Sequence, residues 1–289
     1  MNNQQMRILQ IVPSISLVYG GPSQMVLGLS AALAKQGVEV TILTTDSNGD
    51  AGQLPLDVPL DRPVEQNGYQ IRYFRCSPFR RYKFSLELLK WLGRHAADYD
   101  LAHIHALFSP VSSLAAVVAR SQNLPYILRP LGTLDPADLQ KKRLLKQVYA
   151  ALLEKPNIKG AAAIHFTSTQ EARISEKFGV STRDLVIPLG VTANLRTEVL
   201  TTNLSKSEIP QILFMSRIDP KKGLNLLIPA LENLLAEGIK FQFILAGGNP
   251  QDPDYESKIK AQIEDSPLKS HTIITGFVTG DRKASLLQN

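Results

Sequence analysis

A single cysteine, Cys76, stands in the 289 residues, so the chain can form neither an internal disulfide nor a thiolate metal cluster. No stretch reaches the ~18 consecutive apolar residues of a membrane-spanning helix. The first residues, Met1-Asn2-Asn3-Gln4-Gln5, lack the charged start and long apolar run of a secretory signal. One thiol and no export signal lead to the cytoplasm as the expected compartment. Two phosphate-binding signatures are also missing. There is no Gly-x-Gly-x-x-Gly paired with an acid at the end of a second strand, and no Gly-x-x-x-x-Gly-Lys-Ser/Thr, so neither a nicotinamide fingerprint nor a P-loop is present. Asp46 lies near the acid position of the first signature but stands alone. Solenoid repeats and low-complexity tracts are absent too.

What remains is ordinary globular composition, 44% hydrophobic and 20% charged, in a chain long enough for two domains with their own cores. The net charge of +6 favours anionic partners. Residues 6–13 read as a buried strand, followed by a loop that ends in Gly20-Gly21. Pro22 suits a first helical turn, and Met25, Val26, Leu29, Ala32 and Leu33 recur at helical spacing up to Gly37. Residues 38–43 form the next strand. The alternation continues with strands at 71–74, 101–105, 126–128, 161–166 and 185–187. Helices are expected at 85–97, 110–120, 136–153 and 169–178. Repeated units of this length predict a doubly wound parallel sheet. Residues 192–209 are polar and aperiodic and read as a linker. A second series follows, with strands at 211–215, 241–245 and 271–274 and helices at 223–237 and 254–264, the first kinked at Pro229. The expected division is therefore 1–191, a linker at 192–209, and 210–289. The last segment is shorter than the ~150 residues of a full doubly wound domain, so it is expected to be incomplete.

The most informative stretch is Arg217-Ile218-Asp219-Pro220-Lys221-Lys222-Gly223. It lies between an expected strand and an expected helix. Arg217 offers a planar fork of donors and Lys222 a compact charge, next to the free N–H groups of a helix start. That combination suits a diphosphate; the plain alternative is a solvated basic turn. Gly20-Gly21, between the first strand and first helix, could bring backbone donors close to a ligand or simply supply a positive φ. His103 and His105 share one face of a strand, and His105 falls at its carboxyl end, where open α/β sheets place ligands. A metal pair would need a third ligand, which the sequence does not suggest. Arg129-Pro130-Leu131-Gly132 follows another strand; it reads either as a pocket border or as a turn carrying a solvated arginine.

The strand–Arg-x-x-x-x-Lys-Gly–helix arrangement resembles the donor-phosphate site of family-four retaining glycosyltransferases of the GT-B fold. Gly20-Gly21-Pro22-Ser23 resembles the glycine loop of that family, Asp100…His103-x-His105 its sugar-contacting motif, and Arg129-Pro130-x-Gly132 a loop of its bacterial members that build surface polysaccharides. Ile187-Pro188-Leu189-Gly190-Val191 resembles its interdomain turn, with Leu189 where Asn is usual. The resemblance implies two Rossmann-like doubly wound domains, the second incomplete, in an α/β chain. It implies sugar transfer with retention from a UDP- or GDP-sugar to a glycan or lipid-linked acceptor, without metal or other cofactor. Arg217, Lys222, Gly20 and Gly21 would hold the donor diphosphate, His105 would touch the transferred sugar, and Arg129 and Gly132 would border the acceptor. The family's later Glu-x7-Glu signature is not matched. Glu256 and Glu264 have the spacing but fall on the wrong helix, so the nucleoside pocket is expected to be missing and activity in doubt. Two other classes remain open: a non-catalytic binding or regulatory fragment, and another GT-B nucleotide-sugar enzyme such as an epimerase.

Two basic–aromatic clusters complete the picture, residues 72–84 and Lys141-Lys142-Arg143 with Lys146. They read first as solvated faces with snorkelling stems, next as peripheral contacts with the inner face of a plasma membrane or a lipid-linked acceptor, and last as nucleic-acid contacts, which are not expected.

Overall fold

The computed structural model describes residues 5–49, 53–134, 143–190 and 209–288. The linker expected at 192–209 lies almost wholly outside them, as do Lys141, Lys142 and the start of the helix expected at 136. The chain divides into two compact units, residues 1–193 and 194–289.

The first unit is built on an eight-stranded sheet in the order β3-β4-β2-β1-β5-β6-β7-β8. Its strands are β1 Arg7–Ile11, β2 Glu39–Thr45, β3 Pro63–Gln66, β4 Tyr69–Phe74, β5 Leu101–His105, β6 Tyr126–Arg129, β7 Ala163–Phe166 and β8 Asp184–Val186. All neighbours run parallel except the β3–β4 hairpin at one edge. Helices α1 Gly21–Lys35, α2 Leu86–His95, α3 Pro110–Ser121, α4 Arg143–Tyr149, α5 Lys155–Gly160 and α6 Thr169–Ser175 make the crossovers. A π-helical turn, Ala150–Glu154, joins α4 to α5.

Both faces of the sheet are covered, as parallel sheets require. Successive residues of β2 show it: Ile42 packs into a cluster with Val26, Val40 and Ile71, while Leu43 joins Leu9, Ile104 and Leu128 on the other side. Ser85 caps α2 and Ser168 caps α6 through their hydroxyls, each accepting a first-turn N–H. The β3–β4 hairpin is absent from the sequence expectations. Its turn, Asn67-Gly68, has positive φ at both residues (48° and 84°), which Asn-Gly supplies at low cost.

The second unit pairs β9 Gln211–Met215, β10 Gln242–Ala246 and β11 Thr272–Gly276 in parallel, in the order β11-β10-β9. Helices α7 Leu224–Ala236, α8 Pro253–Glu264 and α9 Gly280–Gln288 accompany them. Ile228, Leu231, Phe243, Leu245, Ile259 and Ile263 form its core. Pro229 sits inside α7 without ending it. Among the described residues no helix is long and apolar enough to cross a membrane.

Gly247 is the tightest point of this unit. It has φ +155°, and a Cβ placed there would overlap the Ser216 carbonyl oxygen at the end of β9. Gly28, inside α1, has open space around its Cα. Gly247→Ala is therefore expected to destabilise the chain by about 2–4 kcal/mol in urea unfolding, whereas Gly28→Ala is expected to be neutral or stabilising by up to ~1 kcal/mol. Equal midpoints for the two variants would show that the close approach is not a constraint.

Candidate active site

In the first unit the strand order reverses between β1 and β5, and the helices that follow them, α1 and α3, cover opposite faces of the sheet. Loops that follow adjacent strands at such a switch point diverge and leave a crevice at the carboxyl edge. Gly20-Gly21 follows β1, His105 ends β5 and Arg129 ends β6. These three adjacent strands bring the first-unit candidates to one edge.

Gly20 adopts φ +71°, ψ −124° as the cap residue before α1. Gly21 needs no positive φ, and nothing lies within 4 Å of a Cβ built at either glycine. With Pro22 in the first turn, the remaining early N–H groups of α1 have no intrahelical acceptor. The loop before them is stitched to the loop after β2. Ser14 Oγ donates to the Ser47 carbonyl at 2.6 Å, Ser16 Oγ to Asn48 Oδ1 at 2.7 Å, and Tyr19 Oη meets Ser47 Oγ at 3.1 Å. Asp46 is buried and its Oδ1 accepts the Cys76 N–H at 2.8 Å, which ties the end of β2 to the loop after β4. Cys76 is buried as well, and burial pushes its thiol up, so it is a poor nucleophile.

His105 is completely buried. Its Nε2 lies 2.7 Å from Gln10 Oε1, an acceptor, so Nε2 carries the proton and Nδ1 is left a lone pair with no hydrogen-bond partner. His103 lies beside it, tilted, with ring centroids 4.3 Å apart. His165 on β7 donates from Nε2 to the Ile187 carbonyl at 3.0 Å, which makes its Nδ1 the acceptor for His103 Nε2 at 3.2 Å. Three imidazoles thus line one face as neutral rings. Burial is the first cause: it lowers His103 to about 3 and His105 well below the usual range, with neighbouring His and Arg129 charges adding to the effect. Among the described residues no group of three or more His, Cys, Asp or Glu could hold a metal.

Arg129 pairs in register with His105 and is 3% exposed. It is not the solvated arginine of the plain reading. Its Nη1 contacts Met25 Sδ and its Nε has no partner. Burial lowers its pKa, and Glu171 opposes that shift. Glu171, on α6, also holds the Arg129-Pro130-Leu131-Gly132 loop. Oε1 accepts the Gly132 N–H at 3.2 Å, and Oε2 accepts from Thr167 N and Oγ1, both at 2.8 Å. The sequence reading missed Glu171; only its place two residues into a capped helix set it apart. The same glutamate borders a small cavity with Gly132, Ser168 and Ile174.

In the second unit, Arg217 follows β9 and is exposed, with Nη2 3.5 Å from Asp219 Oδ2. Asp219 Oδ1 accepts the Lys221 N–H at 3.0 Å, which winds Pro220–Lys222 into a 3-10 turn. Lys222 is exposed and has no ion pair among the described residues. Gly223 (φ +75°) then caps α7 without a side-chain acceptor. Between the two cations Ile218 is buried, and its carbonyl accepts Asn249 Nδ2 at 2.9 Å. Asn249 N–H in turn bonds Glu256, which Lys260 holds at 2.6 Å. Partial burial would raise the Glu256 carboxyl, but Lys260 and the Asn249 N–H lower it on balance. Glu256 therefore supports, through Asn249, the loop that carries Arg217, a role with no local signal in the sequence.

Two open α/β units, with every ligand candidate at a carboxyl strand end, define a GT-B type of chain. Its residues 20–190 match the model of the glycosyl transferase 4-like domain and residues 197–289 that of glycosyl transferases group 1. The chain belongs to this glycosyltransferase family. It is 26% identical over 98% of its length, and 68% of the other protein, to the phosphatidyl-myo-inositol mannosyltransferase of Mycolicibacterium smegmatis. It is 24% identical over 93% of its length, and 67% of the other, to O-antigen chain mannosyltransferase C of Escherichia coli. Among solved structures it resembles Anabaena HepE in complex with UDP and glucose, at TM-score 0.67 and 19% identity over 95% of this chain and 70% of that one. Sucrose-phosphate synthase from Thermosynechococcus elongatus follows at TM-score 0.62, 19% identity and 95% and 71% coverage.

The neutral imidazoles set a sign for pH. Their folded pKa values lie below the unfolded value near 6.5, so the unfolded chain takes up protons first on acidification. Their contribution to stability is complete above pH 6.5 and is lost as pH falls from 6.5 towards 3. Urea midpoints of the first unit are expected to drop through that window, and His103→Gln is expected to flatten the drop. An unchanged slope in the variant would remove the buried neutral ring as its cause.

Proposed function

We propose that this chain transfers a sugar from a nucleoside-diphospho sugar to an acceptor hydroxyl with retention at the anomeric carbon. The observation that carries the proposal is the pair Arg217 and Lys222, exposed at the exit of β9, beside a helix start whose cap Gly223 offers no side-chain acceptor. Cations placed before reaction stabilise charge that develops on a departing diphosphate. The C1–O bond to the β-phosphate breaks as the acceptor oxygen bonds C1 on the same face, and the acceptor proton passes to the leaving phosphate oxygen.

In this reading Gly20 and Gly21 supply backbone donors to the diphosphate, and Arg129 and Gly132 border the acceptor. The sugar contact assigned to His105 falls to Nδ1, the ring nitrogen without a partner, because Gln10 takes the Nε2–H. A UDP- or GDP-sugar donor is supported by the HepE complex with UDP and glucose and by the two mannosyltransferase relatives. A glycan or lipid-linked acceptor is supported by the phosphatidyl-inositol and O-antigen names of those relatives.

Titration of UDP and GDP into the purified chain tests the phosphate site. Each hydrogen bond to a charged group contributes ~1.5–3 kcal/mol, so Arg217→Ala and Lys222→Ala are each expected to weaken nucleotide binding by about 10–100-fold. Arg217→Lys, which keeps the charge and loses the fork, is expected to fall between. Wild-type affinity in both alanine variants would end the phosphate assignment.

A further inference from the structure

The helical stretch from Arg143 to Gly160 is inside out. Its inner side carries two polar residues, Glu154 and Asn157, fully buried beside Ala150 and Ile158. Glu154 Oε1 accepts the Phe108 N–H at 2.7 Å and the Ser113 hydroxyl at 2.6 Å. Asn157 Nδ2 donates to the Ser113 carbonyl at 2.9 Å, Arg120 Nη1 donates to Asn157 Oδ1 at 3.3 Å, and Tyr149 Oη donates to Ser113 Oγ at 2.8 Å. These bonds fix the roll of the helix against α3. Its outer side carries large aliphatic side chains: Leu144 is 80% exposed, Leu145 69%, Val148 57% and Leu152 71%. Spacings of four and eight residues put Leu144, Val148 and Leu152 on one stripe. Rolling the stripe inward would strand the Glu154 carboxylate and the Asn157 amide, so this roll leaves the apolar side uncovered among the described residues.

Charge identifies what covers it. Between residues 141 and 159 the sequence has six cations, Lys141, Lys142, Arg143, Lys146, Lys155 and Lys159, against one acid, Glu154. That acid is the buried one. Lys159 is exposed, and Lys146 and Lys155 lie over the rings of Phe108 and Phe178. We propose that this face docks on an anionic lipid bilayer, with Leu144, Leu145, Val148 and Leu152 entering the headgroup boundary and the lysines meeting acidic headgroups. A twofold pairing with a second copy would set this cationic patch against itself, which charge disfavours. The proposal does not rest on the phosphate site of the second unit.

Flotation of the full chain with phosphatidylcholine vesicles, with and without phosphatidylglycerol, tests it. Binding is expected only with phosphatidylglycerol, to weaken as salt is raised, and to fall about tenfold or more in the triple variant Leu144→Glu, Val148→Glu, Leu152→Glu. Leu54→Glu, at an equally exposed loop leucine, is expected to bind like wild type. The triple variant should keep the wild-type circular dichroism, thermal midpoint and UDP titration, which separates this surface from the nucleotide site. Undiminished binding by the triple variant, or equal binding to neutral vesicles, overturns the proposal. So does a concentration-dependent dimer that the triple variant abolishes without any vesicle binding, or an absence of both, which would leave the face to another segment of the protein.

Discussion

Parallel pairing is the constraint from which the candidate sites follow. A parallel strand must return through a crossover, so every parallel strand of a unit delivers its carboxyl end to the same edge. In the first unit β1, β5 and β6 are neighbours, and the loops after them carry Gly20, His105 and Arg129. In the second unit β9 and β10 are neighbours, and the loops after them carry Arg217 and Asn249. None of these residues is close to its partners in the sequence. The sheet brings them together without any dedicated contact, and the contacts that do exist fix the loops in detail.

Those contacts are mostly long-range and polar. Gln10 reaches His105 across 95 positions, Glu154 reaches Phe108 across 46, and Glu171 reaches Gly132 across 39. Each buried polar atom left alone costs about 1–3 kcal/mol, so partners at the carboxyl edge are strongly required. Where they are lacking, as at His105 Nδ1 and Arg129 Nε, the edge carries a penalty that the eight-stranded core offsets. Buried titratable groups with shifted pKa values gather at functional edges more often than elsewhere, which adds weight to this edge of the sheet.

Much of the fold was legible because the signals were local. Val38 to Leu43 and Leu101 to His105 are apolar runs between breakers, and a run of that kind in an alternating chain becomes a parallel strand. Arg217 and Lys222 were legible because their chemistry depends only on spacing at a strand exit. Glu171, Glu154 and Asn249 were not, because each acts on a loop far away in sequence and nothing beside it shows this. The β3–β4 hairpin could have been read from Asn67-Gly68, but Pro63, Glu65 and Gln66 hid an edge strand with little burial. The helix after residue 143 shows the limit of a local signal. A period of four through Leu144, Val148 and Leu152 does not say which way the stripe faces, and only the hydrogen bonds of Glu154 and Asn157 show that it faces outward.

The second-unit loop also shows how a cation can be held without being neutralised. Asp219 lies 3.5 Å from Arg217, at a surface where such a pair contributes only ~0–1 kcal/mol. Its firmer contact is with the Lys221 N–H, which shapes the turn. A diphosphate would offer Arg217 two short charge-assisted bonds of ~1.5–3 kcal/mol each, enough to displace Asp219. Asn249 meanwhile holds the Ile218 carbonyl from the buried side, so an exchange of partners at the guanidinium need not move the backbone. A strong buried ion pair at Arg217 would have cost more to break than the ligand returned. A free arginine on an unsupported loop would have lost the same amount in ordering. The weak pair on a clamped turn lies between these limits, as the proposed diphosphate site requires.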